Sequence, residues 1–137
     1  MTRCGSILAL SVIVMLCPVT VSHAQETEAN AVADAAVADV RTQMRTPDAM
    51  RVADDSARAE LFRCEPRLPS SCRIVGASAI IQAYGPKVTG DVAVVDVVTW
   101  ESTDSERRPI YRVTRRLTLR KLDGRWTVTS REIRSVT

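Results

Sequence analysis

An apolar segment near the start of the chain constrains the fold more than any other feature. Residues 7–16 are almost all apolar, Arg3 precedes them, and Pro18 ends the run. Small side chains follow up to Ala24, which is the arrangement of a secretory signal peptide that is removed after export. The run is also shorter than the roughly 20 apolar residues that cross a bilayer. We therefore predict a signal peptide over residues 1–24, cleaved after Ala24.

Two other interpretations of this segment remain open. Cys17 could carry a lipid, although Leu16 stands where lipoprotein signals have Gly, Ala or Ser. The segment could also stay as an uncleaved anchor, although Pro18 and the small residue at Ala24 argue against this. Cleavage would release a periplasmic or secreted protein with no stable membrane insertion.

Cleavage would also change which side chains are available for chemistry. Cys4, Cys17 and His23 would leave, so a single domain over residues 25–137 would hold two cysteines and no histidine. Histidine-based hydrolase mechanisms and most zinc or iron sites are then excluded, and we expect no metal and no cofactor. The whole chain has 19 basic and 16 acidic residues, a balance too even to indicate a polyanionic partner.

The two remaining cysteines, Cys64 and Cys72, enclose a short loop that contains two prolines. In an oxidising compartment, an even pair that closes such a loop is most simply a disulfide. A redox-active pair usually has only two residues between its cysteines. We therefore predict a structural Cys64–Cys72 bond.

Two helices are predicted before the cysteine loop. Apolar side chains recur at i, i+4, i+7 and i+11 over residues 27–45, which is the spacing of one helix face. Thr46 and Pro47 then suit an N-cap and a first turn, so a second helix is expected over residues 47–63.

After the cysteine loop the apolar period changes from 3.6 to 2, which predicts strands. The expected strands are residues 74–84, 92–100, 109–122 and 125–136, and residues 87–89 either continue the first strand past Gly85-Pro86 or begin a new one. This order predicts an α+β fold, in which two N-terminal helices pack on one face of an antiparallel sheet of three or four strands.

Asp123-Gly124 predicts a two-residue hairpin turn between the last two strands. Such a turn also determines which residues face each other across the hairpin. In the register of this turn, Arg115 faces Glu132, an opposite-charge contact, and Arg116 faces Arg131. The second pair is unfavourable unless a bulge or an anion separates the like charges.

The C-terminal half contains the stretches KVTGDVAVVDVVTW and YRVTRRLTLRKLDGRWTVTSREI. It resembles the nuclear-transport-factor-two-like superfamily, which includes polyketide-cyclase-like and ketosteroid-isomerase-like proteins. The resemblance lies in a Gly-Asp turn before an Ala-Val strand and in a last hairpin of the form L-x-L-x-K/R-x-D-G-x-W-x-V, and it covers residues 79–137. It implies a cone made of helices and a curved sheet, while a fold alone does not carry an activity.

Asp96 is the most unusual residue of the predicted sheet, because it is a carboxylate on a valine-rich strand face. If that face lines a pocket, burial would raise its pKa and make it a candidate general base. Tyr84 and Tyr111 would then polarise a substrate oxygen, as tyrosines do in the isomerase-like relatives. The simpler interpretation is that Asp96 faces solvent or pairs with an arginine on the neighbouring strand.

Basic residues are concentrated in the last two predicted strands. Residues 107–134 have ten basic and two acidic side chains, whereas residues 25–66 have five and nine. Arg112, Arg116 and Arg120 alternate along one strand and therefore share a sheet face. This face either binds an acidic partner or is an ordinary solvated surface.

Two classes of function are compatible with these features. The one we favour is an exported module, not an enzyme, that binds a protein or a small molecule and could form a homodimer through its sheet face. An anchored component of a secretion machinery is a variant of this class. The other class is a small isomerase or hydrolase that uses Asp96. Nucleic acid is disfavoured as a partner, because no aromatic side chains are interleaved with the arginines.

Overall fold

The structure is a computed structural model that describes residues 19–44, 50–65, 68–101 and 110–137. Within these ranges the elements are α1 Val19–Thr42, β1 Met50–Val52, α2 Asp55–Leu61, β2 Phe62–Glu65, β3 Leu68–Ile74, β4 Ala79–Thr89, β5 Val92–Glu101, β6 Tyr111–Leu122 and β7 Arg125–Val136. The predicted α+β class is confirmed, and so is the disulfide between Cys64 of β2 and Cys72 of β3. Most of the predicted signal peptide and the predicted helix cap at Thr46 lie outside the described residues.

The sheet is larger than predicted. Five strands form it in the order β1-β4-β5-β6-β7, and β2 and β3 form a separate hairpin. β1 runs parallel to β4, and the other neighbouring strands of the sheet are antiparallel. The prediction of three or four strands is therefore wrong. The additional strands, β1 to β3, lie where the second helix and the cysteine loop were expected. β1 and β2 have only three and four residues, too few to show a clear period of 2.

The second helix is much shorter than the predicted residues 47–63. It begins after Asp54, whose side chain accepts a hydrogen bond from the backbone N–H of Ala57 at 2.8 Å and so caps the helix. Residues 50–52 precede it and pair with β4 instead of forming a helical turn. Phe62 follows it with extended backbone and begins the disulfide-closed hairpin. Strand pairing on both sides therefore overrides local helix propensity.

The two helices lie on opposite faces of the five-stranded sheet, and not on one face as predicted. Successive residues of a strand point to opposite faces. α1 packs against the face that carries Ile81, Val97 and Leu117. α2 lies over the other face, where Arg58 bonds to Gln82. β1 lies between the two helices in sequence and at the edge of the sheet, so the chain passes from one face of the sheet to the other at this strand.

We call the face under α2 the pocket face. It carries the even-numbered residues of β5 and β6 together with Ile80, Gln82 and Tyr84 of β4, as the strand register shows.

The main core lies between α1 and the sheet. Val32, Ala36 and Val40 of α1 are at most 1% exposed, and their small side chains allow the helix to pack closely. Where burial in α1 is described, from residue 23 onward, the first buried residue is Val32, so the predicted cleavage after Ala24 would keep these core residues. Neither helix in the described part of the chain combines the length and the apolar character that a membrane crossing requires.

Polar contacts fasten α1 to the last hairpin at two points. Glu28 accepts hydrogen bonds from Lys121 Nζ and, at 2.8 Å, from Trp126 Nε1. The bond from Lys121 is the largest of the effects that lower the pKa of the Glu28 carboxyl. Further along α1, the Arg131 guanidinium donates to Asp39, with 2.9 Å between Arg131 Nε and Asp39 Oδ2.

The last hairpin turns at Asp123-Gly124 as predicted, and both residues have positive φ, 50° and 75°. The predicted register holds near the turn, but shifts occur between Thr118 and Leu119 and again between Thr114 and Arg115. The predicted pairs beyond the first shift are therefore wrong.

The first shift removes the unfavourable contact between like charges. Arg116 faces Glu132 instead of Arg131, and Arg131 faces Leu117. The Arg131 side chain then reaches Asp39 of α1. A bulge inserts one residue into one strand and so changes every later pair; here it exchanges a repulsive pair for an attractive one.

Candidate functional site

A pocket of about 490 Å³ lies on the pocket face, between α2 and the sheet. Its lining residues are Asp55 and Arg58 of α2, Tyr84 of β4, Asp96, Val98 and Trp100 of β5, and Arg112 and Thr114 of β6. The volume falls within the range of roughly 300–1,000 Å³ that is typical of small-molecule sites. Side chains of one helix and three strands therefore build this site.

Strand register places the sheet residues of this pocket in rows. On the pocket face, the partners across β5 and β6 are Trp100 and Arg112, Val98 and Thr114, and Asp96 and Arg116. Residues two apart on one strand share a face. The β5 side of the pocket therefore carries Asp96, the buried Val98 and Trp100, and the β6 side carries Arg112 and Thr114.

The wall formed by α2 is held by a hydrogen-bond network around Arg58. Its guanidinium forms an ion pair with Asp55 Oδ1 at 2.8 Å, donates to Gln82 Oε1 at 2.8 Å and bonds to the Tyr84 hydroxyl. Gln82 is only 7% exposed, and its Nε2 donates to Asp55 Oδ1 at 3.0 Å. Buried polar groups of this kind stabilise a fold when they are satisfied, so the network fixes α2 over β4.

This network also determines the protonation of its members. The hydrogen bond from Gln82 is the largest cause of the lowered pKa of Asp55, and Arg58 lowers it further. Burial is the main reason why the pKa of Tyr84 is raised. At neutral pH, Asp55 is therefore ionised and Tyr84 is protonated.

Trp100 is held in one orientation at the end of the pocket. The Arg58 guanidinium carbon lies 4.8 Å from the centroid of its ring, at cation–π distance. Phe62 of β2 packs edge-on against the same side chain, with 6.3 Å between the ring centroids and 82° between the planes. Both α2 and the disulfide-closed hairpin therefore hold the Trp100 side chain in place.

Asp96 lies in the pocket, but its environment lowers its pKa instead of raising it. Its two carboxylate oxygens accept hydrogen bonds from Arg116 Nε and from an Arg116 terminal nitrogen, both at 2.8 Å. These bonds are the largest cause of the lowered pKa. The expected rise on burial is wrong, because a bidentate arginine stabilises the charged form more than partial burial destabilises it. Asp96 therefore has the arginine partner on the neighbouring strand that the simpler interpretation proposed.

Lowering the pH is expected to destabilise the fold through this pair. The pKa of Asp96 is lower in the folded state than in the unfolded state, where an aspartate has a pKa of about 3.9. The stabilisation is therefore fully present above that value and is lost as the pH falls through the lower, folded pKa. Asp96→Asn should reduce the fall in melting temperature between about pH 5 and pH 2.5, as measured by circular dichroism.

Asp34→Asn, at an exposed position of α1 outside the pocket, is the matched control for this measurement. The pH dependence of its melting temperature should match that of the unaltered protein. Equal pH dependence in all three proteins would contradict a stabilising role for the Asp96–Arg116 pair.

The two predicted tyrosines do not lie together. Tyr84 faces Asp96 across β4 and β5 and lines the pocket. Tyr111 faces Glu101 across β5 and β6, and its hydroxyl donates to the Glu101 carboxylate. Because it is an odd-numbered residue of β6, Tyr111 lies on the α1 side of the sheet. A site that combines both tyrosines with Asp96 is therefore not formed.

The three predicted arginines share a face but have different surroundings. Arg116 is bound to Asp96, whereas Arg120 is exposed and lies outside the pocket. Arg112 lines the pocket, and its side chain has no hydrogen bond or ion pair with the part of the chain that the structure describes. Arg112 is therefore the cation of this site that is available to a ligand.

Arg58 and Thr114 were not identified as site residues from the sequence. Arg58 lies on a short helix whose position over the sheet depends on contacts with Gln82 and Tyr84, more than 20 positions away. Thr114 lies between Arg112 and Arg116 on β6, two residues from each, so the sequence already places it on the same strand face as these arginines. Val98 and Trp100 alternate with Asp96 along β5, so their place on the same strand face as Asp96 could also be predicted.

Among the described residues, no group of three or more His, Cys, Asp or Glu side chains is placed to hold a metal ion. The polar groups that line the pocket are the carboxylates of Asp55 and Asp96, which are paired with arginines, the Arg58 partner of Asp55, the hydroxyls of Tyr84 and Thr114, and the guanidinium of Arg112. Comparison with protein-family models, with curated proteins and with solved structures found no match.

Proposed function

We propose that this protein is an exported, non-catalytic binding module that takes up a small molecule in the pocket between α2 and the sheet. One observation carries this proposal. The pocket has the volume of a ligand site and contains the Trp100 side chain, while its two carboxylates are already held in ion pairs. Such a pocket offers contacts to a ligand without offering a free base to a reaction.

The protonation states of the pocket favour binding over acid–base catalysis. A general base works best when its pKa is near the operating pH. The pKa values of Asp55 and Asp96 are both lowered, and that of Tyr84 is raised. These shifts move all three pKa values further from neutral pH. They therefore support a binding role more than the alternative of an isomerase or hydrolase that uses Asp96.

Export is supported by the disulfide and by the position of the α1 core. A structural disulfide is typical of proteins in oxidising compartments, and the core residues Val32, Ala36 and Val40 of α1 follow Ala24. The resemblance to the nuclear-transport-factor-two-like superfamily, with its cone-shaped fold, remains a prediction.

A small molecule is favoured over a protein partner on this face. α2 covers β4 on the pocket face through Arg58, which leaves less of that face open for a flat homodimer contact. A pocket of this volume is typical of small-ligand binding. An anchored role in a secretion machinery would require the first residues to remain, which a mass measurement of the exported protein would reveal.

The neutral fluorescent dye Nile red tests whether the pocket binds an apolar molecule. We expect the unaltered protein to bind the dye and Thr114→Phe to weaken binding about ten-fold or more, because the larger side chain fills the cavity. Thr118→Phe is the matched control, since Thr118 lies on the same strand and face but outside the pocket. Equal dye binding in the two variants would contradict the proposal, because the dye would then bind elsewhere.

Native mass spectrometry on the protein exported to a bacterial periplasm, without reductant, tests the remaining parts of the proposal. We expect the mass of residues 25–137, less two hydrogens for the Cys64–Cys72 bond. A full-length or lipidated mass would contradict cleavage after Ala24.

A further inference from the structure

We infer that the pocket is selective for an amphipathic monocarboxylate, whose carboxylate is bound by Arg112 and Thr114 and whose apolar body lies against Trp100. This inference rests on the proposed function and specifies the chemical class of the ligand.

The charges around the pocket leave one cation unmatched. Asp55 is paired with Arg58, and Asp96 is paired with Arg116, each at 2.8 Å. Arg112 is the remaining charged residue of the lining, and its side chain has no partner among the described residues. A ligand with a single negative charge would therefore complete the charge pairing of the site.

The side along β6 has the donors that a carboxylate needs. A guanidinium presents a planar fork of N–H donors that matches the two oxygens of a carboxylate. Thr114 follows two positions later on the same face and adds a hydroxyl donor. These two neighbouring side chains can therefore bind one carboxylate from adjacent directions.

The opposite row supplies apolar contacts next to these donors. Trp100 is the cross-strand partner of Arg112, and Val98 is the partner of Thr114. Trp100 is held by Arg58 at 4.8 Å and by the edge of Phe62, so little side-chain freedom is lost when a ligand packs against it. A molecule with its carboxylate over β6 and its apolar body over β5 would meet both surfaces at once.

The same site disfavours ligands with more than one negative charge. Asp55 and Asp96 both line the pocket, and their lowered pKa values mean that both are ionised at neutral pH. A second negative charge in the cavity would find no unpaired cation, because Arg58 and Arg116 are already bound to these carboxylates. The site is therefore better suited to a monocarboxylate than to a phosphate monoester.

The probes are three compounds that share an apolar body and differ in the polar group: 2-naphthoate, 2-naphthamide and 2-naphthyl phosphate. Isothermal titration at pH 7 and low salt is expected to show that naphthoate binds about ten-fold more tightly than naphthamide. Naphthyl phosphate should bind more weakly than naphthoate. Tighter binding of the phosphate, or equal binding of acid and amide, would overturn the inference.

Two arginine variants test whether Arg112 causes the preference for a carboxylate. Arg112→Gln should abolish the preference for naphthoate over naphthamide, because naphthoate binding falls by about ten-fold more than naphthamide binding does. Arg120→Gln removes the same charge from the same strand and face outside the pocket, so it should keep the preference. If both variants lose the preference equally, general surface charge is responsible and the inference is wrong. Melting temperatures of both variants verify that the fold is retained.

The dye experiment separates failure of this inference from failure of the proposed function. If Nile red binds in the pocket but naphthoate has no advantage over naphthamide, the ligand class is wrong and the binding function stands. If neither Nile red nor any naphthalene compound binds, both the ligand class and the proposed function are wrong.

Discussion

Replacing Leu117 by alanine is expected to lower the free energy of unfolding by about 3 kcal/mol or more. Leu117 is fully buried at the centre of β6, among the side chains that join the sheet to α1. Removing its apolar atoms there costs transfer free energy and leaves a cavity that close-packed neighbours fill only in part. Urea denaturation followed by circular dichroism would measure the change.

Leu122→Ala makes the same chemical change at the end of β6, where the side chain is 53% exposed. Its effect should stay within about 0.5 kcal/mol, as is usual for surface positions. A comparable loss in both variants would contradict the position of Leu117 in the core.

Removing the disulfide by the double substitution Cys64→Ser and Cys72→Ser is expected to lower the free energy of unfolding by about 2.5 kcal/mol. This value is the chain-entropy estimate for a closed loop with a sequence separation of 8. The hairpin also carries Phe62, which packs against Trp100, so the variant should bind Nile red more weakly as well. Chemical denaturation and dye titration measure the two effects.

A reductant provides the control for the disulfide experiment. It should lower the melting temperature of the unaltered protein and have no effect on the double variant, which has no Cys64–Cys72 bond to break. Full retention of stability and dye binding in the double variant would contradict a supporting role of the hairpin for the pocket.

The sequence alone predicted the features that depend on neighbouring residues. The Asp123-Gly124 turn, the apolar stripe of α1 and the Cys64–Cys72 loop each involve short separations along the chain. Turn preference, helical period and loop closure are local properties, so they can be recognised before the fold is known. The alternation that grouped Arg112 and Arg116 on one face is local in the same sense.

Only the tertiary structure decided the pairing of distant segments. β1 became a strand because it pairs with β4, and α2 lies on the opposite face from α1 because Arg58 and Asp55 bond to Gln82. The direction of the Asp96 pKa shift follows from Arg116, 20 positions away on the next strand.

The candidate site illustrates both contributions. The alternating pattern places Asp96 and Val98 on one face of β5, and Arg112 and Arg116 on one face of β6, and this much is contained in the amino-acid order. Which arginine pairs with a carboxylate and which stays available depends on strand register and on the position of α2. These are set by packing between segments far apart in sequence, and for that reason the available cation in the pocket became apparent only in the folded chain.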